Sequence, residues 1–113
     1  MGRFESSDSA GSLELQPLRV PQLKDGIFST AKELVDDLPE WTLVSEDEAA
    51  GTIVCERKAR ALSSKSTVTI KIEGPDGVPS TTISLVSESQ GGLLGGDKKN
   101  VQEFMKLFRR RVV

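Results

Sequence analysis

The stretch from residue 67 to residue 88, TVTIKIEGPDGVPSTTISLVSE, limits the possible folds more than any other part of the chain. In its first arm Val68, Ile70 and Ile72 alternate with Thr67, Thr69, Lys71 and Glu73. That is the two-residue period of a strand with one apolar and one polar face. Gly74-Pro75-Asp76-Gly77 follows, combining a fixed φ, an Asx side chain and two permissive glycines, which is turn chemistry. The second arm, residues 80–88, returns with Ile83 and Leu85 facing the same side. A hairpin that is apolar on one face only needs a second layer to cover that face. The chain must therefore supply helices.

It supplies two. Leu23, Ile27, Ala31, Leu34, Val35 and Leu38 recur at spacings of three and four and predict a helix over residues 21–38, stopped by Pro39. Val101, Phe104, Met105, Phe108 and Val112 predict a second, over residues 97–112. Asp97 stands in N-cap position there, and Arg109, Arg110 and Arg111 face the negative end of the helix dipole. Between the helices, residues 41–46 and 52–59 read as strands around an acidic turn, with Ile53 and Cys55 on one face of the second. In residues 13–19 Leu13 and Leu15 alternate as in a short strand, and Pro17 makes it an edge or an end. Residues 1–12 are rich in Gly, Ser and Asp and read as a disordered tail. The expected order is β-α-β-β-β-β-α. This is a two-layer α+β domain over residues 13–113, with an antiparallel sheet of four or five strands and both helices on one face.

Composition excludes much chemistry. Among 113 residues there is no histidine, and Cys55 is the sole cysteine, so no internal disulfide can form. Ser-His and Cys-His nucleophile systems and the usual zinc sites lack their parts, and neither a metal nor a cofactor is expected. A formal net charge of −2 argues against a dedicated nucleic-acid binder. No apolar run approaches the roughly 20 residues of a membrane span, and a soluble, cytoplasmic protein is expected.

Two places remain for contact with something else. The first is the loop Gly91, Gly92, Leu93, Leu94, Gly95 and Gly96, with Lys98 and Lys99 just beyond it. A glycine loop before a helix N-terminus can aim backbone N–H groups at an anion, so a small anionic ligand is possible here. Yet the P-loop spacing fails, because Asp97 stands where that motif needs lysine and its carboxylate repels phosphate. Leu93 and Leu94 either tuck over the sheet edge or form an apolar contact tip. The second place is the uncovered sheet face, carrying Thr67, Thr69, Lys71, Thr82, Ser84 and Val86 and suited to a protein partner or a homodimer. Arg57, Lys58, Arg60 and Lys65 form a basic cluster that reads as solvated surface. Trp41 is expected to anchor the first helix on the sheet, and Cys55 to act as a small buried hydrophobe. The resulting expectation is a non-catalytic binding or accessory module. Its alternative is a hydrolase or transferase holding a phosphate-bearing ligand at the 91–96 loop, and no catalytic residue stands out for it.

Several of these residues also carry a resemblance. Leu38-Pro39-Glu40-Trp41 with Val44 and Glu46, the strand opened by Gly51, and Val68-Thr69-Ile70-Lys71-Ile72 form one set. A serine-bearing strand then runs into a Gly/Asp loop, and Val101 and Phe104 sit on the last helix. Together they resemble a family found in bacteria and plastid-bearing organisms, domain of unknown function fourteen ninety-nine. The likeness runs over about residues 23–111 and implies the same helix–strands–helix order, with a plastid as the alternative location. The basic loop of that family appears here as Ser87-Glu88-Ser89-Gln90-Gly91-Gly92 without arginine, and its paired aspartates appear as Ser64-Lys65-Ser66. The resemblance therefore implies fold rather than activity.

Overall fold

The computed structural model describes residues 2–59, 65–90 and 96–112. Six strands and two α-helices follow one another: β1 (Gly2–Glu5), β2 (Leu18–Val20), α1 (Lys24–Asp37), β3 (Trp41–Asp47), β4 (Thr52–Arg57), β5 (Ser66–Glu73), β6 (Thr81–Ser89) and α2 (Gly96–Val112). All pairings are antiparallel, in the order β1-β6-β5-β4-β3, with β2 also paired to β6. The α+β architecture is the expected one, with more strands than the four or five read from the sequence.

The 67–88 hairpin forms as its alternation requires. Ile70 faces Leu85 and Ile72 faces Ile83 across β5 and β6, and Ile53 and Cys55 of β4 continue the same rows opposite Ile70 and Val68. All seven side chains are buried. They meet Ile27, Ala31, Leu34 and Val35 of α1 and Val101, Phe104, Met105 and Phe108 of α2 in one core. Both helices thus lie on one face of the sheet. Phe104 and Phe108 stack with ring centroids 5.5 Å apart, and Trp41 lies 5.5 Å from Phe104. Truncating such a ring to alanine typically costs about 3–5 kcal/mol, so this aromatic row is a main tie between α2 and the sheet.

The N-terminal third departs from expectation. Residues 2–5 are a strand rather than a disordered tail, with Arg3 opposite Glu88 and Phe4 opposite Ser87. Ser6 continues the edge, its N–H donating to the Leu85 carbonyl at 2.9 Å while its Oγ accepts from the Leu85 N–H at 3.0 Å. Residues 13–19 do not form one strand. Leu13–Leu15 make a 3-10 turn capped by the Ser12 hydroxyl, and pairing with β6 resumes at Leu18, just past Pro17, which has no N–H to donate. Polar composition at the start of the chain concealed β1, because its support comes from β6, some 80 residues away.

Two further details were also hidden. The β3–β4 register shifts between Leu43 and Ser45. This bulge turns Glu46 toward α1, where its carboxylate pairs with Lys32 at 2.8 Å, instead of leaving it on the outer face with Val44. Leu23 lies just before α1 and is exposed rather than on its buried face.

Candidate binding surface

Among the described residues no element lies over the face of the sheet opposite the helices, and the strand registers order it into three rows. Thr52, Lys71 and Ser84 form one; Val54, Thr69 and Val86 the next; Glu56, Thr67 and Glu88 the third. Thr67, Thr69, Lys71, Thr82 and Ser84 are therefore brought together on one surface, as their alternation implied. Val86 points to this side but is buried among its neighbours. The β4 residues completing the rows were legible as the positions alternating with Ile53 and Cys55. Arg3 and Glu5, added by β1, were not, since β1 itself was unforeseen. These charges are paired: Arg3 lies 3.5 Å from Glu5 and 3.8 Å from Glu88, and Lys65 lies 3.3 Å from Glu56.

At one end the outer face sinks into a concavity of about 690 Å³ lined by Gly2, Arg3, Lys65, Thr67, Glu88, Ser89 and Gln90. It joins the open face to the strand end from which the glycine loop departs. Of that loop, Gly91, Gly92, Leu93, Leu94 and Gly95 lie outside the described residues, as does Arg60 of the basic cluster. Gly96 opens α2, and Lys98 and Lys99 are exposed on it. Lys99 lines a different depression, shared with Glu14, Gln102 and Lys106 on the outer side of the helix.

Asp97 does not stand free at the helix end. Its carboxylate is buried against the sheet and accepts three serine hydroxyls: Ser66 at 3.0 Å, Ser87 at 2.7 Å and Ser89 at 2.6 Å. Asn100 Nδ2 donates to Ser87 Oγ at 3.1 Å, and Gly2 packs so closely that a Cβ there would collide with Asp97 Oδ2. Ser87 and Ser89 of β6, with Ser66 of β5, are thus the hydroxyl donors of a latch. The negative charge that argued against phosphate in the sequence occupies the space behind the concavity. The arrangement holds α2 to β1, β5 and β6; it presents no carboxylate to solvent for acid–base work.

A second buried polar group corrects one expectation and extends another. Arg57, assigned from sequence to a solvated cluster, is 8% exposed and faces Glu103 of α2, Nη2 to Oε2 3.4 Å, while its Nη1 donates to the Lys58 carbonyl at 2.9 Å. Trp41 Nε1 donates to Glu103 Oε1 at 2.6 Å. The indole thus ties β3 to the last helix, a role its position just after the first helix did not indicate. Cys55 sits wholly inside the core, where burial pushes its thiol pKa up to about 12, so the thiolate is strongly disfavoured. Among the described residues no three His, Cys, Asp or Glu side chains converge to hold a metal ion, and no helix is long and apolar enough to cross a membrane.

No protein-family model matches the chain, and no curated protein matches it by sequence. The structure is similar to the crystal structure of Ara h 8.0201, with a TM-score of 0.58 over 98% of this chain and 97% of that chain at 15% identity. At that identity the likeness is one of fold alone.

Proposed function

We propose that this domain is a non-catalytic binding module that receives a protein partner, or a second copy of itself, on the open sheet face. The observation that carries the reading is the uncovered face itself. A β-branched row, Val54-Thr69-Val86, runs across it between two polar rows, and the outer polar row borders the concavity through Thr67 and Glu88. Polar-rimmed and not enclosed, such a face suits a macromolecular contact better than a small substrate. Membership of the family called domain of unknown function fourteen ninety-nine belongs to the same proposal, supported by the order helix, four strands, helix from Lys24 to Val112.

Photoreactive residues placed at Thr69 or Ser84 in the native cell test this directly. Discrete cross-links should form from these positions and disappear with Thr67→Arg. Sedimentation of the pure protein over a range of concentrations separates a second copy from a foreign partner. The reading fails if the sheet-face positions capture nothing while control positions elsewhere do. It fails equally if titration with inorganic phosphate or nucleotide moves only the amides of residues 91–99, which would favour a phosphate-bearing ligand at the glycine loop.

A further inference from the structure

The outer side of α2 concentrates positive charge in a chain whose net charge is −2. Its 17 residues include Lys98, Lys99, Lys106, Arg109, Arg110 and Arg111, against only Asp97 and Glu103. Both carboxylates are engaged, Asp97 by serines in the interior and Glu103 by Arg57 and Trp41. Arg111 is tied to Asp37 at 2.7 Å. Lys98, Lys99, Lys106 and Arg110 have no carboxylate within ion-pair distance among the described residues and are all exposed. At 100° per residue Lys99, Lys106 and Arg110 share one outward stripe, spread over about 16 Å of helix. With α2 so basic, the rest of the molecule is markedly acidic, and the field has one positive side.

An apolar element stands beside this stripe. Arg109 Nη2 donates to the Leu13 carbonyl at 3.1 Å and holds the 3-10 turn against the helix. The Leu13 side chain is left 67% exposed, next to a groove lined by Glu14, Lys106, Arg109 and Arg110. Glu14, which also lines the depression beside Lys99, Lys106 and Arg110, offsets part of the charge along the stripe. An aliphatic side chain thus stands at the edge of the basic stripe. Trp41, Phe28, Phe104 and Phe108 are all buried, so no ring is available on this face to stack on nucleic-acid bases. A line of long cations on a helix lying along the surface, with a leucine beside it, matches a plane of negative charge over an apolar layer.

We propose that the outer face of α2, with Leu13 at its edge, docks this domain onto membrane surfaces rich in anionic lipid. The contact is peripheral: the lysines and Arg110 meet headgroups, and Leu13 enters the interfacial region. The uncovered sheet face lies on the other side of the molecule and stays open, although the docking does not depend on its use.

Co-sedimentation of the intact protein with vesicles tests it. Binding should appear with phosphatidylserine in phosphatidylcholine, be absent with phosphatidylcholine alone, and weaken steeply with salt. Each cation near such a surface is worth about fivefold, so Lys99→Glu with Lys106→Glu and Arg110→Glu should lower partitioning by about 100-fold or more. Leu13→Ser should lower it several-fold and keep the salt dependence. Lys71→Glu on the sheet face should change nothing. These side chains are exposed, so folding should persist by circular dichroism; if the triple variant unfolds, Lys99→Gln with Lys106→Gln replaces it and should cost about 25-fold. The proposal is overturned if phosphatidylserine confers no binding at low salt, or if the charge-reversed protein binds as well. Tighter association with polyglutamate or single-stranded nucleic acid than with these vesicles also overturns it.

Discussion

At the scale of single residues, two glycines with opposite demands make the sharpest test of the backbone. Gly26 lies in the first turn of α1 with helical φ, and a Cβ added there meets nothing within 4 Å. Gly26→Ala should stabilise the protein by about 0.5–1 kcal/mol, by reducing the freedom of the unfolded chain, and raise the thermal midpoint accordingly. Gly51 is the reverse case. It holds φ at 69° while its carbonyl accepts the Ile72 N–H at 2.7 Å, and a Cβ would run into the Ile72 carbonyl oxygen. Gly51→Ala should therefore cost about 1–3 kcal/mol in urea unfolding, from left-handed strain and the displaced strand together. The turn around Gly51 could be read from the sequence, but the approach of β5 to it could not. That contact belongs to a residue 21 positions away whose register the turn does not specify.

At the scale of elements, the two carboxylates of α2 both tie it to the sheet. Near its start the Asp97 carboxylate accepts Ser66, Ser87 and Ser89; further along, Glu103 accepts Trp41 and Arg57. Asp97→Ala would leave buried serine hydroxyls without their acceptor and should destabilise by about 3 kcal/mol. Trp41 is the single tryptophan and reports on the tie through Glu103. If the latch and the core unfold as one unit, its fluorescence and the far-UV signal should shift together in the Asp97→Ala protein. Separate transitions would mean that α2 can detach from an intact sheet. The helix itself was legible from Val101, Phe104, Met105 and Phe108, because amphipathic spacing is a local property. The role of Asp97 was misread as an N-cap because capping is also local chemistry. Three hydroxyls on β5 and β6 offered it better partners once those strands were placed beneath the helix. Arg57 was misread for the same reason: a charge in a basic run looks solvated until a facing carboxylate such as Glu103 draws it inward.

For the whole molecule, the absence of histidine and the high thiol pKa of Cys55 leave a wide plateau of stability across neutral pH. Its limits follow from surface pairs. Arg19 beside Asp8, and Lys24 beside Asp76, hold those carboxyls below their ordinary value of 3.8 through hydrogen bonds and charge. A carboxyl depressed in the folded state stabilises it above its unfolded pKa, and that contribution is lost as pH falls through the folded value. Lys24 and Lys32 are raised above 10.5 by Asp76 and Glu46, so their contribution is present below 10.5 and fades as pH climbs through the raised values. Thermal midpoints should thus be flat between about pH 5 and 9 and fall at both ends. Asp76→Asn should remove part of the acid-side slope and leave the alkaline-side contribution of Lys32 in place.

The boundary between what was readable and what was not follows the range of the forces involved. Alternation in 67–73 and 80–88, the three-and-four spacing of both helices, and the Pro39 and Gly74–Gly77 interruptions are set by chain geometry over a few residues. They suffice for two helices on one face of an antiparallel sheet and for the row of Thr67, Thr69 and Lys71 on the other. Pairing of Gly2–Glu5 with β6, the bulge that swings Glu46 to Lys32, the burial of Arg57 and the Asp97 latch all join segments far apart in sequence. No local pattern encodes them. Each arises because folding removes water from a polar group, which must then find its partner wherever the assembled sheet and helices have placed one.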